Sequence, residues 1–197
     1  GGSFVLNTNP ATTFNGVAGT TYILRWTISN GVCPVSTDDV QIRLDAAPTG
    51  SNAGTDQIVC GTSATLGGNL PAIGTGVWTI SAGAGGSVIT PSSPTSPFTG
   101  VAGTTYTLTW TISNGVCAVS TDDVQIQLDA SPTVSSAGAD QNICGTSAVL
   151  GGNVPVTGTG LWSVVSGAGG SFVLNTNPVT TFNGVAGTTY ILRWTIS

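Results

Sequence analysis

The 197-residue chain holds eight Asp and three Arg, no Glu, Lys, His or Met, a net charge of −5, and 29 Gly and 10 Pro beside 40% apolar residues. Lacking imidazole, Glu and Lys, it is short of the usual proton-transfer groups and of the commonest zinc ligand, so it is expected to be no enzyme and to need no cofactor. The acidic balance argues against nucleic acid or an anionic membrane surface as partner, while the apolar content predicts a folded chain rather than charged disorder or collagen.

The chain is repetitive. Gly1-Gly2-Ser3 recurs at Gly85-Gly86-Ser87 and at Gly169-Gly170-Ser171, a step of 84 residues each time. Tyr22, Tyr106 and Tyr190 keep that step, as do Trp26, Trp110 and Trp194, then Trp78 and Trp162, and the cysteine pairs Cys33/Cys117 and Cys60/Cys144. A unit of this size suits one small all-β domain and is too long for a solenoid coil or a propeller blade. Boundaries fall at Asp45-Ala46-Ala47-Pro48 and Asp129-Ala130-Ser131-Pro132, where proline stops a strand and stiffens a linker. Residues 1–46 are then expected to be the C-terminal half of a repeat, 47–130 a complete repeat, and 131–197 a repeat lacking its last strand. The 197 residues are read as a window on a longer tandem array. Strand exchange between two copies fits less well, because residues 1–29 would duplicate strands the acceptor already has.

In residues 1–46, Ile23 and Arg25 are expected to face outward on the penultimate strand and Arg43 on the last. In the complete repeat, Ala64 and Leu66 mark a short strand and Val77-Trp78-Thr79-Ile80 another, each bracketed by turn residues. In Thr105–Ile112 the large residues Tyr106, Leu108, Trp110 and Ile112 alternate with threonine, the period-2 pattern of a half-buried strand. Asn114-Gly115 then gives the signal of a two-residue hairpin, and Val124, Ile126 and Leu128 alternate again on the strand that follows. Nothing has helical period. Short strands with turn signals about every ten residues predict tandem antiparallel β-sandwiches of immunoglobulin-like type. Trp78 and Trp110 are expected in the core rather than on a sugar-stacking platform, and Tyr106 resembles a tyrosine corner.

The run Ala53-Gly54-Thr55-Asp56-Gln57-Ile58-Val59-Cys60, with Gly103-Thr104-Thr105-Tyr106 and Ser113-Asn114-Gly115-Val116-Cys117, resembles the PKD-like repeats of large secreted Bacteroidota proteins. The resemblance covers each 84-residue unit and implies immunoglobulin-like sandwiches in tandem, in surface adhesins, gliding-associated proteins or extracellular fibres. PKD domains proper carry a Trp-Asp-Phe-Gly-Asp stretch, whereas Trp78 is followed by Thr79-Ile80-Ser81.

Four cysteines in an extracellular-looking chain suggest disulfides. In an immunoglobulin-like topology Cys60 and Cys117 fall at opposite poles, too far apart for a bond. Stacked head to tail, Cys60 would instead meet the residue 84 positions beyond Cys117, past the end of this chain. An inter-domain staple, an intradomain bond in a modified sandwich, and free thiols at Cys33, Cys60, Cys117 and Cys144 all stay open.

Asp122 and Asp123 are adjacent on a strand and point to opposite faces, which rules them out as a carboxylate pair. Calcium at Asp45, Asp56, Asp129 or Asp140 is weaker than a turn-capping role, since no loop has closely spaced acids. Residues 1–29 match 169–197 at every position but one, Ala11 against Val179, so two repeat types alternate with a super-repeat of 168 residues. Ile23, Arg25 and Arg43 become Thr107, Thr109 and Gln127 in the next repeat, while Arg193 is the copy of Arg25. Those four residues are candidates for a lateral contact in a bundled fibre. The expectation is a non-catalytic structural or adhesive segment of an extracellular filament or cell-surface adhesin. Its partners would be neighbouring repeats, copies of itself and an unidentified surface or glycan. The alternative is a carbohydrate-binding or spacer module of a secreted enzyme.

Overall fold

A computed structural model describes all residues, Gly1–Ser197. It divides into two compact units, Gly1–Leu128 and Asp129–Ser197. Every regular element is a β-strand, and no helix is long and apolar enough to cross a membrane.

Residues 1–46 form β1 (Ser3–Phe4), β2 (Phe14–Asn15), β3 (Thr20–Ile28) and β4 (Ser36–Leu44). β1 pairs with β2, and β3 with β4, in antiparallel registers running from Thr20 opposite Leu44 to Ile28 opposite Ser36. Phe14 meets Tyr22 edge to face at 4.8 Å.

The next seven strands are β5 (Gln57–Cys60), β6 (Ser63–Thr65), β7 (Thr75–Ala82), β8 (Ser87–Val88), β9 (Pro97–Thr99), β10 (Thr104–Ser113) and β11 (Ser120–Asp129). They make a four-stranded sheet, β5-β11-β10-β7, facing a three-stranded one, β6-β9-β8. This is an immunoglobulin-like sandwich whose first strand pairs with the last. Its core follows from the period-2 pattern: Tyr106, Leu108, Trp110 and Ile112 on β10 meet Val124, Ile126 and Leu128 on β11, with Leu66 and Phe98 from the other sheet, all buried. Trp110 lies opposite Trp78 on β7 with ring centroids 5.0 Å apart. The Tyr106 hydroxyl accepts from the Val101 N–H at 2.8 Å and donates to the Ala84 carbonyl at 2.9 Å. Ser96, a polar residue in this core, has its hydroxyl accept from Thr90 N–H and donate to the Pro97 carbonyl.

The sharp hairpin expected at Asn114-Gly115 is not formed. Residues 114–119 all lie between β10 and β11, and Asn114–Cys117 is a turn closed by the Cys117 N–H on the Asn114 carbonyl, with Gly115 at φ +56°. The Asn-Gly pair supplies the left-handed turn, but strand pairing closes only at Ile112 opposite Ser120, so the turn projects beyond the sheet.

Trp26 and Ile28 occupy the inward positions of Trp110 and Ile112, yet Trp26 is 39% exposed where Trp110 is fully buried. Residues 1–46 supply no strands equivalent to β5–β7 to cover them.

Asp129–Ser197 holds β12 (Ser147–Val149), β13 (Gly160–Ser166), β14 (Ser171–Phe172), β15 (Thr181–Asn183) and β16 (Ile191–Ile196). The sheets are β13-β16 and β12-β15-β14 around Leu150, Trp162, Phe182 and Trp194. An open groove lined by Leu150, Trp162, Phe182, Tyr190 and Leu192 runs along the unit, where β11 would lie in the complete repeat.

Close approach explains one glycine. A Cβ at Gly76 would run into the Trp110 ring, and at its copy Gly160 into the Trp194 ring. Gly76→Ala is expected to destabilise the 47–128 sandwich by about 1–3 kcal/mol through displacement of the indole, read as a lower denaturant midpoint at unchanged slope. A midpoint equal to that of the parent would show that the ring does not need this space.

Candidate functional site at the repeat junction

Where β4 runs into the linker, residues 45–46 meet the turn of residues 114–117. The Asp45 carboxylate, whose side chain is only 9% exposed, accepts from Arg43 Nε at 2.6 Å through one oxygen and from the Val116 N–H at 3.2 Å through the other. Asn114 Nδ2 donates to the Ala46 carbonyl at 2.8 Å, and Cys117 Sγ lies 3.5 Å from the Asp45 carbonyl oxygen. The turn thus grips two consecutive residues of the preceding repeat. Gly115 is required twice over: its φ is left-handed, and a Cβ there would collide with the Asp45 carboxylate. The corresponding turn of the first repeat, Asn30–Cys33, has the same shape, with Gly31 at φ +55° and the Cys33 N–H on the Asn30 carbonyl. It forms although nothing stands within 4 Å of a Cβ at Gly31. The two turns therefore share one backbone shape at the same sequence, Asn-Gly-Val-Cys.

The linker is pinned as well. Thr49 Oγ1 accepts from the Ala72 and Ile73 N–H groups, Asn69 Oδ1 accepts from Asn52 N–H, and Asn69 Nδ2 donates to the Gly50 carbonyl. In the second unit Thr133 and Asn153 make the same bonds to 156–157 and to Val134 and Ser136. A linker held at three of four consecutive residues behaves as part of the domain rather than as a flexible tether.

The candidate residues are dispersed. Cys60 ends β5, while Cys117 sits in the turn before β11; Cys33 and Cys144 are exposed. Ile23 is 73% exposed, and Arg25 beside it makes a two-pronged ion pair with Asp39 at 2.8 and 3.0 Å. Arg43 belongs to the junction through Asp45, and Arg193 lies opposite Ser163. The core residues Tyr106, Leu108, Trp110, Ile112 and Trp78 are all buried. Asp56 accepts from the Gln125 N–H and Asp122 from the Ala53 N–H, both backbone caps. No three carboxylates or thiols converge. Reading the sequence found Asp45 as a boundary residue and a weak calcium or turn-capping candidate, and Asn114-Gly115 as a turn, without joining the two. Their shared 84-residue step, Asp45/Asp129 and Asn30/Asn114, was the available signal of a joint.

No protein-family model matches the sequence, and no curated protein does. Among solved structures, the chain is similar to the insect immune protein hemolin at 11% identity over 87% of its length, with a TM-score of 0.43. It is likewise similar to the N-terminal eight Ig domains of Down syndrome cell adhesion molecule isoform 1.30.30, at 13% identity over 93% of its length, again with a TM-score of 0.43. It spans 55% and 32% of those chains.

Hydrogen bonding from the Arg25 guanidinium holds the Asp39 carboxyl below the usual carboxylate range, and Asp39 in turn raises Arg25. A depressed carboxylate stabilises the fold above its unfolded titration range and loses that contribution as pH falls through its folded value. Asp39→Asn is therefore expected to lower the melting temperature slightly at neutral pH and by progressively less as pH falls below the usual carboxylate range; a gap that does not shrink in acid would place the effect elsewhere. At the junction, Asp45→Ala removes the acceptor of the Val116 amide. Its hydrogen exchange is expected to speed up about tenfold, matching the loss of one charge-assisted bond, while amides of β10 keep their protection. Unchanged exchange at Val116 would mean that Asp45 does not secure the turn.

Proposed function

We propose that the chain is a non-catalytic structural or adhesive segment of a long tandem-repeat extracellular filament or cell-surface adhesin. The observation that carries this reading is the joint itself: residues 114–117 hold Asp45 and Ala46 of the preceding repeat through side-chain and backbone bonds, and the turn and the pair it holds recur at the 84-residue step as Asn30–Cys33 and Asp129-Ala130, with Gln127 in place of Arg43. Interlocked repeats with pinned linkers resist bending, which suits a filament better than a flexible spacer. In such an array the groove of residues 131–197 takes a strand of the β11 pattern, whose Val124, Ile126 and Leu128 fill the matching place in the complete repeat.

The surface suits an exposed structural role. Threonine alternates with the core residues along β10 and glutamine along β11, so the faces stay wet with few charges, and three arginines are the only sites open to trypsin-like cleavage. The tryptophans of the complete repeat, Trp78 and Trp110, are buried, and a sugar-stacking platform needs exposed rings. The outer face with Ile23 and the Arg25–Asp39 pair is the surface through which such filaments would bundle.

Negative-stain electron microscopy of the native protein tests the reading. Straight rods with an axial period of roughly 35–45 Å are expected, from ten-residue strands at ~3.3 Å per residue plus a junction. Compact particles without a period would overturn it.

A further inference from the structure

We propose that the joint is closed covalently: Cys60 forms a disulfide with the turn cysteine of the following repeat, and Cys144 does the same one repeat further on. The proposal rests on the tandem-array reading above.

Two independent sets of contacts bring the sulfurs together. First, residues 51–60 run parallel to β11 at a constant register. Ser51 N–H donates to Ser120 Oγ, Ala53 N–H to Asp122, and Gln125 N–H to Asp56, each pair 69 residues apart. Carried to its end, that offset sets Cys60 level with the last residue of β11, on the neighbouring strand and so about 5 Å away. Second, the turn cysteine of a repeat seats on the last residue of the preceding one. Cys117 Sγ lies 3.5 Å from the carbonyl oxygen of Asp45, and Asp45 is the copy of the residue that ends β11. Moved forward one repeat, the turn cysteine lands on the carbonyl at the end of β11, one strand from Cys60. Both cysteines then flank the same residue, and a disulfide between them needs Cα atoms ~4.4–6.8 Å apart. The turn has the same closing bond and glycine conformation at Asn30–Cys33 and Asn114–Cys117, so the cysteine is held in the same place in each repeat.

The same register rules out the bond inside a repeat. Cys60 is level with the far end of β11 and Cys117 precedes its first residue. Ten residues at ~3.3 Å each separate them by roughly 30 Å.

The chemistry is a two-step thiol–disulfide exchange with a dithiol oxidant in its disulfide form. The thiolate of one cysteine attacks the oxidant's disulfide and expels one of its sulfurs as a thiol. The second cysteine's thiolate then attacks the mixed disulfide and expels the other. The two cysteine protons end on the oxidant, which leaves as a dithiol carrying the two electrons.

Because two repeat types alternate, the pairing is written in the sequence. Residues 1–29 and 169–197 are of one type, so the turn following Cys60's repeat is of the Val32-Cys33-Pro34 type, whereas Cys60's own repeat carries Val116-Cys117-Ala118. The test is mass spectrometry of a non-reducing peptic digest of the native protein after alkylation of free thiols. The expected product joins Ile-Val-Cys to Val-Cys-Pro, and Asn-Ile-Cys to Val-Cys-Ala. In the same protein, Cys60→Ser should leave the Val-Cys-Pro thiol open to alkylation without loss of the axial period. Ile-Val-Cys joined to Val-Cys-Ala, or both peptides recovered alkylated, overturns the staple while leaving the array intact. An intact mass with no room for a following repeat overturns the array reading instead.

Discussion

The molecule hangs on the inner row of β10. Tyr106, Leu108, Trp110 and Ile112 stand on one face of one strand, all fully buried, and every other part of the complete repeat is placed by what that row needs. Trp78 comes alongside Trp110, Gly76 has no side chain because the indole occupies its space, and the Tyr106 hydroxyl ties the Gly83–Gly86 bend and the entry to β10 together through Ala84 and Val101. Side chains of this size dominate the apolar area removed from water. They also leave no interior place for a charged or reactive group, and the polar residue in this core, Ser96, is spent on its own backbone.

With the interior given over to packing, what distinguishes this chain must lie at its ends and edges. The β10–β11 connection is where that happens. A two-residue turn would bring the strands together at the sheet's edge and leave nothing to reach the preceding repeat. The longer connection, turned by Gly115 and closed on Asn114, carries three polar groups past the sheet: the Asn114 amide, the Val116 N–H and the Cys117 sulfur. Each finds a partner on Asp45 or Ala46. Several weak bonds converging on two residues hold the end of β4 against this turn more firmly than any one of them would.

Much of this was legible beforehand. The alternation in Thr105–Ile112 and Val124–Leu128 identified the two central strands and the inward residues, and the spacing of turn residues identified the fold class. Such patterns report burial, which depends on local periodicity. The joint was harder to see because its partners are about 70 residues apart and because Asn-Gly signals a tight hairpin with equal force whether or not the strands close beside it. Period-2 reading also says nothing of the parallel run of residues 51–60 beside β11, whose pairing is made through Ser120, Asp122 and Asp56 side chains as much as through apolar contacts.

The differences between repeat types also read differently once cross-strand partners are known. Arg25 stands opposite Asp39, and its replacement Thr109 stands opposite Asp123. The aspartate is kept, and an ion pair is exchanged for a hydroxyl-to-carboxylate hydrogen bond. Arg43 is different, because it is the second donor to the carboxylate that holds the next repeat's turn. At its copy, Gln127, the side chain is neutral and cannot place a positive charge beside the carboxylate. A charge-assisted contact is stronger than a neutral one and weakens with salt. The residue two positions before the aspartate therefore sets whether that carboxylate has charged support, present at Arg43 and absent at Gln127.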